Sequence, residues 1–215
     1  MSLFEFWANL EPDLRSHPAD AAFLSSVSHR FDLSCLPAPW TGPLLTANVV
    51  LLFLSPGLDE RGFDQAHAQT EEEQAYHLAQ RSGLAPLPDY AEHPPHWRWW
   101  TQKIRQFDIP PEEARDSVAV LDMAPYHSPR FNDYHMLTAL PSARRALDWA
   151  QDTLFQQAIR GERFVVCLRS AKLWGLDTGR TYGEGLFAPE CTRGGFMRHG
   201  EQREMLVATI REKLR

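Results

Sequence analysis

Three short stretches place reactive side chains at the ends of apolar runs. In VVLLFLSPGLDERG, Val49 to Gly62, an apolar run stops at Ser55-Pro56-Gly57 and is followed by Asp59, Glu60 and Arg61. A proline-glycine turn fixes the backbone, so the Ser55 hydroxyl and the Asp59 carboxylate can be held toward a ligand or a water. In SVAVLDMAPYHS, Ser117 to Ser128, Asp122 stands inside the apolar run. A lone carboxylate is costly there, so it must be paired or put to use. Tyr126 and His127 follow Pro125, and an imidazole at that place can bind a ligand or move a proton near neutral pH. In RFVVCLRSAKLWGL, Arg163 to Leu176, Arg169 closes the third run. Its guanidinium suits a phosphate, or a salt bridge to Asp122 across the strand ends.

The elements that carry these groups alternate. Apolar periodicity predicts strands at Ala47–Leu54, within Ser117–Ser128, after Arg163 and near Leu186–Ala188. Helical spacing predicts a first helix capped by Ser2, with Leu3, Phe6, Trp7 and Leu10 on one face. A second is expected over Ala19–His29, with Phe23, Leu24 and Val27 inward. TEEEQAYHLAQRSG has an acidic first turn and a glycine stop. LAPLPDYAEHPPH reads as a loop. In the helix after it, Trp97, Trp100, Ile104 and Phe107 form an apolar stripe from which Trp99 falls off, free to stack on a base. A long amphipathic helix ends at Gly161, with Ile159 toward the core, and a closing helix runs from Glu201 to Leu214. Strands alternating with helices imply right-handed crossovers and an α/β three-layer sandwich around a mainly parallel sheet of about four strands. The chain is expected to form one domain over residues 1–215, with residues 1–46 a helical N-terminal extension packed on it. Ser55, Asp122 and His127 should then line one cavity at the carboxyl edge, where open α/β sheets bind their ligands.

Composition narrows the function classes. The net charge of −6 argues against coating nucleic acid by bulk attraction. Residues 1–159 hold 11 basic and 21 acidic side chains, whereas residues 160–215 hold 11 and 7, so a basic quarter follows an acidic body. No run reaches the roughly 18 apolar residues of a membrane span. Three cysteines in no metal-ligand spacing, and an N-terminus without a basic leader, point to a reduced, cytoplasmic protein. His93 and His96 are separated by two prolines and cannot form a helical ligand pair, so no metal and no cofactor are expected. Neither a Gly-x-Ser-x-Gly elbow nor a phosphate-binding loop is present to support a different α/β hydrolase or transferase using Ser55 and His127.

The order FLSPG (Phe53–Gly57), LDMAPYHS (Leu121–Ser128) and VVCLRSAKLWGL (Val165–Leu176) resembles the uracil-DNA glycosylase superfamily, over roughly Val49 to His199. The resemblance implies a protein that recognises a nucleobase in DNA or in a nucleoside and cleaves its N-glycosidic bond. It implies that the first-strand turn positions water, that a polar residue on the second strand reads the base edge, and that a C-terminal histidine stabilises the departing base. Ser55 then stands where the family motif has Asn or Asp. Asp122 stands in place of the base-reading Asn; as a carboxylate it would favour a donor edge such as cytosine's amino group. The H-P-S-P motif is absent, and RGGFMRHG supplies His199 and Arg198 as its nearest substitutes. Ser55, Asp122 and His199 are thus the expected catalytic set. Pro56, Gly57, Asp59, Tyr126, His127, Arg169 and Arg198 would contact the substrate. Uracil excision should be weak or absent. The other reading is a non-catalytic fold relative that serves as a binding or assembly module.

Overall fold

The pentads VVLLF and VAVLD form the two longest strands, and every residue in them is buried. The computed structural model describes residues 2–8, 10–58, 67–92 and 94–213. Its strands are β1 (Trp40–Thr41), β2 (Val49–Phe53), β3 (Val118–Asp122), β4 (Phe164–Cys167), β5 (Arg180–Tyr182) and β6 (Leu186–Ala188). They form one sheet in the order β1-β3-β2-β4-β6-β5. The β3-β2-β4-β6 core is parallel, and β1 and β5 close the two edges antiparallel. The sheet therefore has six strands rather than about four. Both additional strands are only two or three residues long, too short for a period-two pattern to reveal them.

Side-chain alternation sends β2 and β3 residues to opposite faces. Val50, Leu52, Ala119 and Leu121 face one core. It is covered by α1 (Leu3–Ala8), α2 (Pro18–Ser26), α6 (Tyr134–Ala139), α7 (Pro141–Trp149) and α8 (Phe155–Ile159). Val49, Leu51, Phe53, Val118 and Val120 face the other core. That face is covered by α4 (Pro94–Ile104), α5 (Pro111–Ala114) and α9 (Glu201–Lys213). The N-terminal helices belong to the first core through Leu3, Phe6, Trp7 and Leu24. The remaining helix, α3 (Glu71–Arg81), starts on a Thr70–Glu73 capping box.

Several boundaries differ from the sequence reading for local reasons. α4 begins at Pro94, inside the segment read as loop, because prolines are tolerated in a helix's first turn. The long helix is interrupted by a π turn at Ala150–Leu154. That turn shifts the helical phase, and Ile159 emerges 38% exposed instead of facing the core. Phe23 is also exposed, at 37%, while Leu24 beside it is buried.

The connection from β2 leads to β3 on one side, and the chain then crosses back over β2 to reach β4. Strand order thus reverses between β2 and β4. In doubly wound sheets the crevice outside the carboxyl ends at such a reversal receives the ligand.

Candidate functional site at the carboxyl edge of the sheet

β2 and β3 are parallel, with Phe53 opposite Asp122, so Ser55 and Asp122 leave the sheet on the same edge. The two chains stay together beyond the strands: Met123 N–H and Ala124 N–H donate to Phe53 O and Leu54 O, and Ser128 N–H donates to Pro56 O. Gly57 pairs with Ser128 in an isolated bridge. His127 Nδ1 lies 3.0 Å from Gly57 O. A carbonyl can only accept, so Nδ1 carries the proton and Nε2 keeps its lone pair. Nε2 is buried without a hydrogen-bond partner. Burial, partly offset by the Gly57 contact, moves the His127 pKa down, which favours the neutral ring. Asp59 lies outside the described residues, as does His93.

Asp122 is 6% exposed, and its Oδ1 has no hydrogen-bond partner. Among the described residues it forms no salt bridge to Arg169, contrary to one expectation from the sequence. Burial raises its pKa well above the ordinary 3.8, and the nearby charge of Arg169 opposes that rise without cancelling it. That shift favours the neutral acid, a form with one O–H donor and one C=O acceptor. The acceptor-only carboxylate expected from the sequence and the neutral acid favoured by burial would read opposite base edges.

The face that Asp122 shares with Phe53 is aromatic and cationic. Trp99, off its helix's apolar stripe, packs against Phe53 with ring centroids 5.2 Å apart. Lys103 lies one turn further along α4, with its Nζ 5.8 Å from the Trp99 ring and 3.9 Å from the Phe196 ring. It donates to Gly194 O at 2.7 Å. Burial, with the charge of Arg169, brings the Lys103 pKa down to about 8. Gln106 donates to Gly195 O and accepts from Met197 N–H, which pins the C-terminal loop over the sheet. Gly195 sits at φ +77°, and a Cβ there would meet the Phe53 ring at 2.7 Å. Outside α4, a surface cavity of about 270 Å3 is lined by Trp97, Arg98, Trp99 and Arg105 among others.

Of the other expected site residues, Tyr126, His199 and Arg198 lie elsewhere. Tyr126 is 1% exposed and turned into the first core. Its hydroxyl donates to Asp20 Oδ2 at 2.5 Å and accepts from His17 N–H, which ties α2 to the sheet. His199 is exposed beside Arg203, and the exposed Arg198 lies 3.9 Å from Glu190. Pro56 and Arg169 are half-buried at the carboxyl edge, and Gly57 is exposed there. Sequence reasoning passed over Lys103 and Gln106. Both act through a loop about 90 residues away in sequence, and the only local sign was a rare lysine one helical turn after Trp99.

The chain matches no protein-family model and no curated protein sequence.

Proposed function

We propose that this protein recognises a nucleobase through a glycosylase-like site, with the base edge read by Asp122 and the ring held on the Phe53–Trp99 side of the sheet. The observation that carries the reading is a buried, unpaired Asp122 next to Phe53, at the edge where the strand order reverses. A neutral acid presents a donor beside an acceptor. It therefore complements a lactam edge, in which a carbonyl oxygen adjoins a ring N–H, as in uracil or hypoxanthine. Cytosine and adenine present the reversed pattern, an amino group beside a bare ring nitrogen, which this acid would meet only with its proton on the other oxygen. Aromatic rings next to the acid supply stacking, which is worth about 1–3 kcal/mol per base. Arg98 and Arg105 beside Trp97 and Trp99 would follow a phosphate backbone. These features favour a nucleobase within a polynucleotide, extruded before it is read.

Glycosidic cleavage further requires an attacking water and stabilisation of the departing base. Ser55 and the bare Nε2 of His127 supply acceptors on the water side. Arg169 supplies positive charge near Asp122, a role that the sequence had suggested for His199. A second reading, a binding module without cleavage, is favoured by the exposed position of His199 beside Arg203. The test is a cleavage and binding assay over oligonucleotides containing uracil, hypoxanthine, xanthine or a thymine mismatch. Excision or selective binding of lactam bases is expected. Equal indifference to every base would overturn both readings.

A further inference from the structure

Asp32, Cys35 and His67 each bring one potential ligand atom to a common point beside the candidate site, all within 4.8 Å of one another. The segment that carries Asp32 and Cys35 is fixed to the site's own backbone. Asp32 N–H donates to His127 O, Cys35 N–H to Asp32 O, and Ala38 N–H to Pro125 O. Both Ser34 contacts to Asp32, from its backbone N–H and its hydroxyl, go to Oδ1, which leaves Oδ2 for another partner. The same hydroxyl lies 2.7 Å from His67 Nε2. One hydroxyl thus joins the Asp32 carboxylate to the His67 ring.

We propose that Asp32, Cys35 and His67 bind a divalent transition metal ion of the zinc class, with a water completing the coordination. One thiolate, one imidazole and one carboxylate form a mixed set of borderline softness that suits Zn2+ and excludes Mg2+ or Ca2+ as preferred occupants. Tetrahedral bonds of about 2.0–2.3 Å place ligand atoms roughly 3.3–3.8 Å apart, so the three side chains need to close by about 1 Å. Burial and the Asp32 charge hold the metal-free Cys35 thiol up at about 12, so binding displaces its proton. The ion would tie the N-terminal extension to the loop that follows β2. This inference is independent of the base-reading role of Asp122.

The experiment is a titration of the chelator-treated full chain with Co2+. One equivalent should produce tetrahedral d–d bands together with a near-ultraviolet thiolate-to-cobalt charge-transfer band, and Zn2+ should displace both. Cys35→Ser should abolish the charge-transfer band, whereas Cys191→Ser should retain it. Asp32→Asn and His67→Gln should each weaken binding at least about tenfold. These two positions are only half-buried, so they carry the test if Cys35→Ser fails to fold. The proposal is overturned if excess Co2+ gives no such bands, or if folded Asp32→Asn and His67→Gln bind like the parent.

Discussion

At the scale of single residues, Asp122 and its proton decide the chemistry. The folded chain holds that proton between the ordinary carboxylate value of 3.8 and the raised one, whereas the unfolded chain has released it. The contribution to stability is therefore complete below the ordinary value and is lost as pH rises toward the folded value. Asp122→Asn keeps the shape without the titration. It should melt close to the parent near pH 4 and above it near pH 8, by about 2–4 °C for each kcal/mol recovered. A variant less stable than the parent at every pH would indicate an ionised, partnered carboxylate instead. Gln106 offers a second measurement at this scale. Gln106→Ala leaves Met197 N–H and Gly195 O without their buried partner and should cost about 1–3 kcal/mol in denaturant unfolding. A change within error would mean that the C-terminal loop is held by other contacts. Asp122 could be singled out from sequence because a charge within an apolar run is conspicuous. Its isolation could not, since that depends on where Arg169 comes to rest.

At the scale of elements, the strands were legible wherever five apolar residues ran together. The edge strands β1 and β5 were not, because their pairing is set by neighbours distant in sequence. β3 lies between β1 and β2, with Val120 opposite Thr41 and Leu51 and only 2% exposed. Val120→Asp should abolish folding, since an unpaired buried charge rivals the roughly 5–15 kcal/mol that stabilises a domain. A soluble variant with an unchanged melting temperature would refute the central place of this strand. The cationic face of α4 makes a different prediction. Arg98→Ala combined with Arg105→Ala should weaken oligonucleotide binding and flatten its dependence on salt, with the slope falling by up to about two. Binding of a free nucleoside should be unaffected. An unchanged salt slope would remove α4 from the nucleic-acid path. The Asp32–Cys35–His67 cluster could not be read from spacing, because β1 and β2 lie between Cys35 and His67 in the chain.

At the scale of the whole molecule, the order of the strands brings the parts together. The parallel β3-β2-β4 arrangement sets the ends of three apolar runs along one edge of the sheet, while the C-terminal loop and α4 cover the face beside it. The α/β class followed from the alternation of patterns along the chain, and six strands with helices on both sides agree with it. The proposed base recognition depends on Asp122 being a donor and an acceptor at once. The direct measurement is equilibrium binding at neutral pH of single-stranded oligonucleotides that carry one uracil, hypoxanthine, cytosine or adenine, to the parent, Asp122→Asn and Asp122→Ala. The account predicts that parent and Asp122→Asn both favour uracil and hypoxanthine, by about 1–3 kcal/mol for a well-formed pair of hydrogen bonds, and that Asp122→Ala loses the preference. A parent that favours cytosine, or an Asp122→Ala variant that discriminates as the parent does, would contradict it.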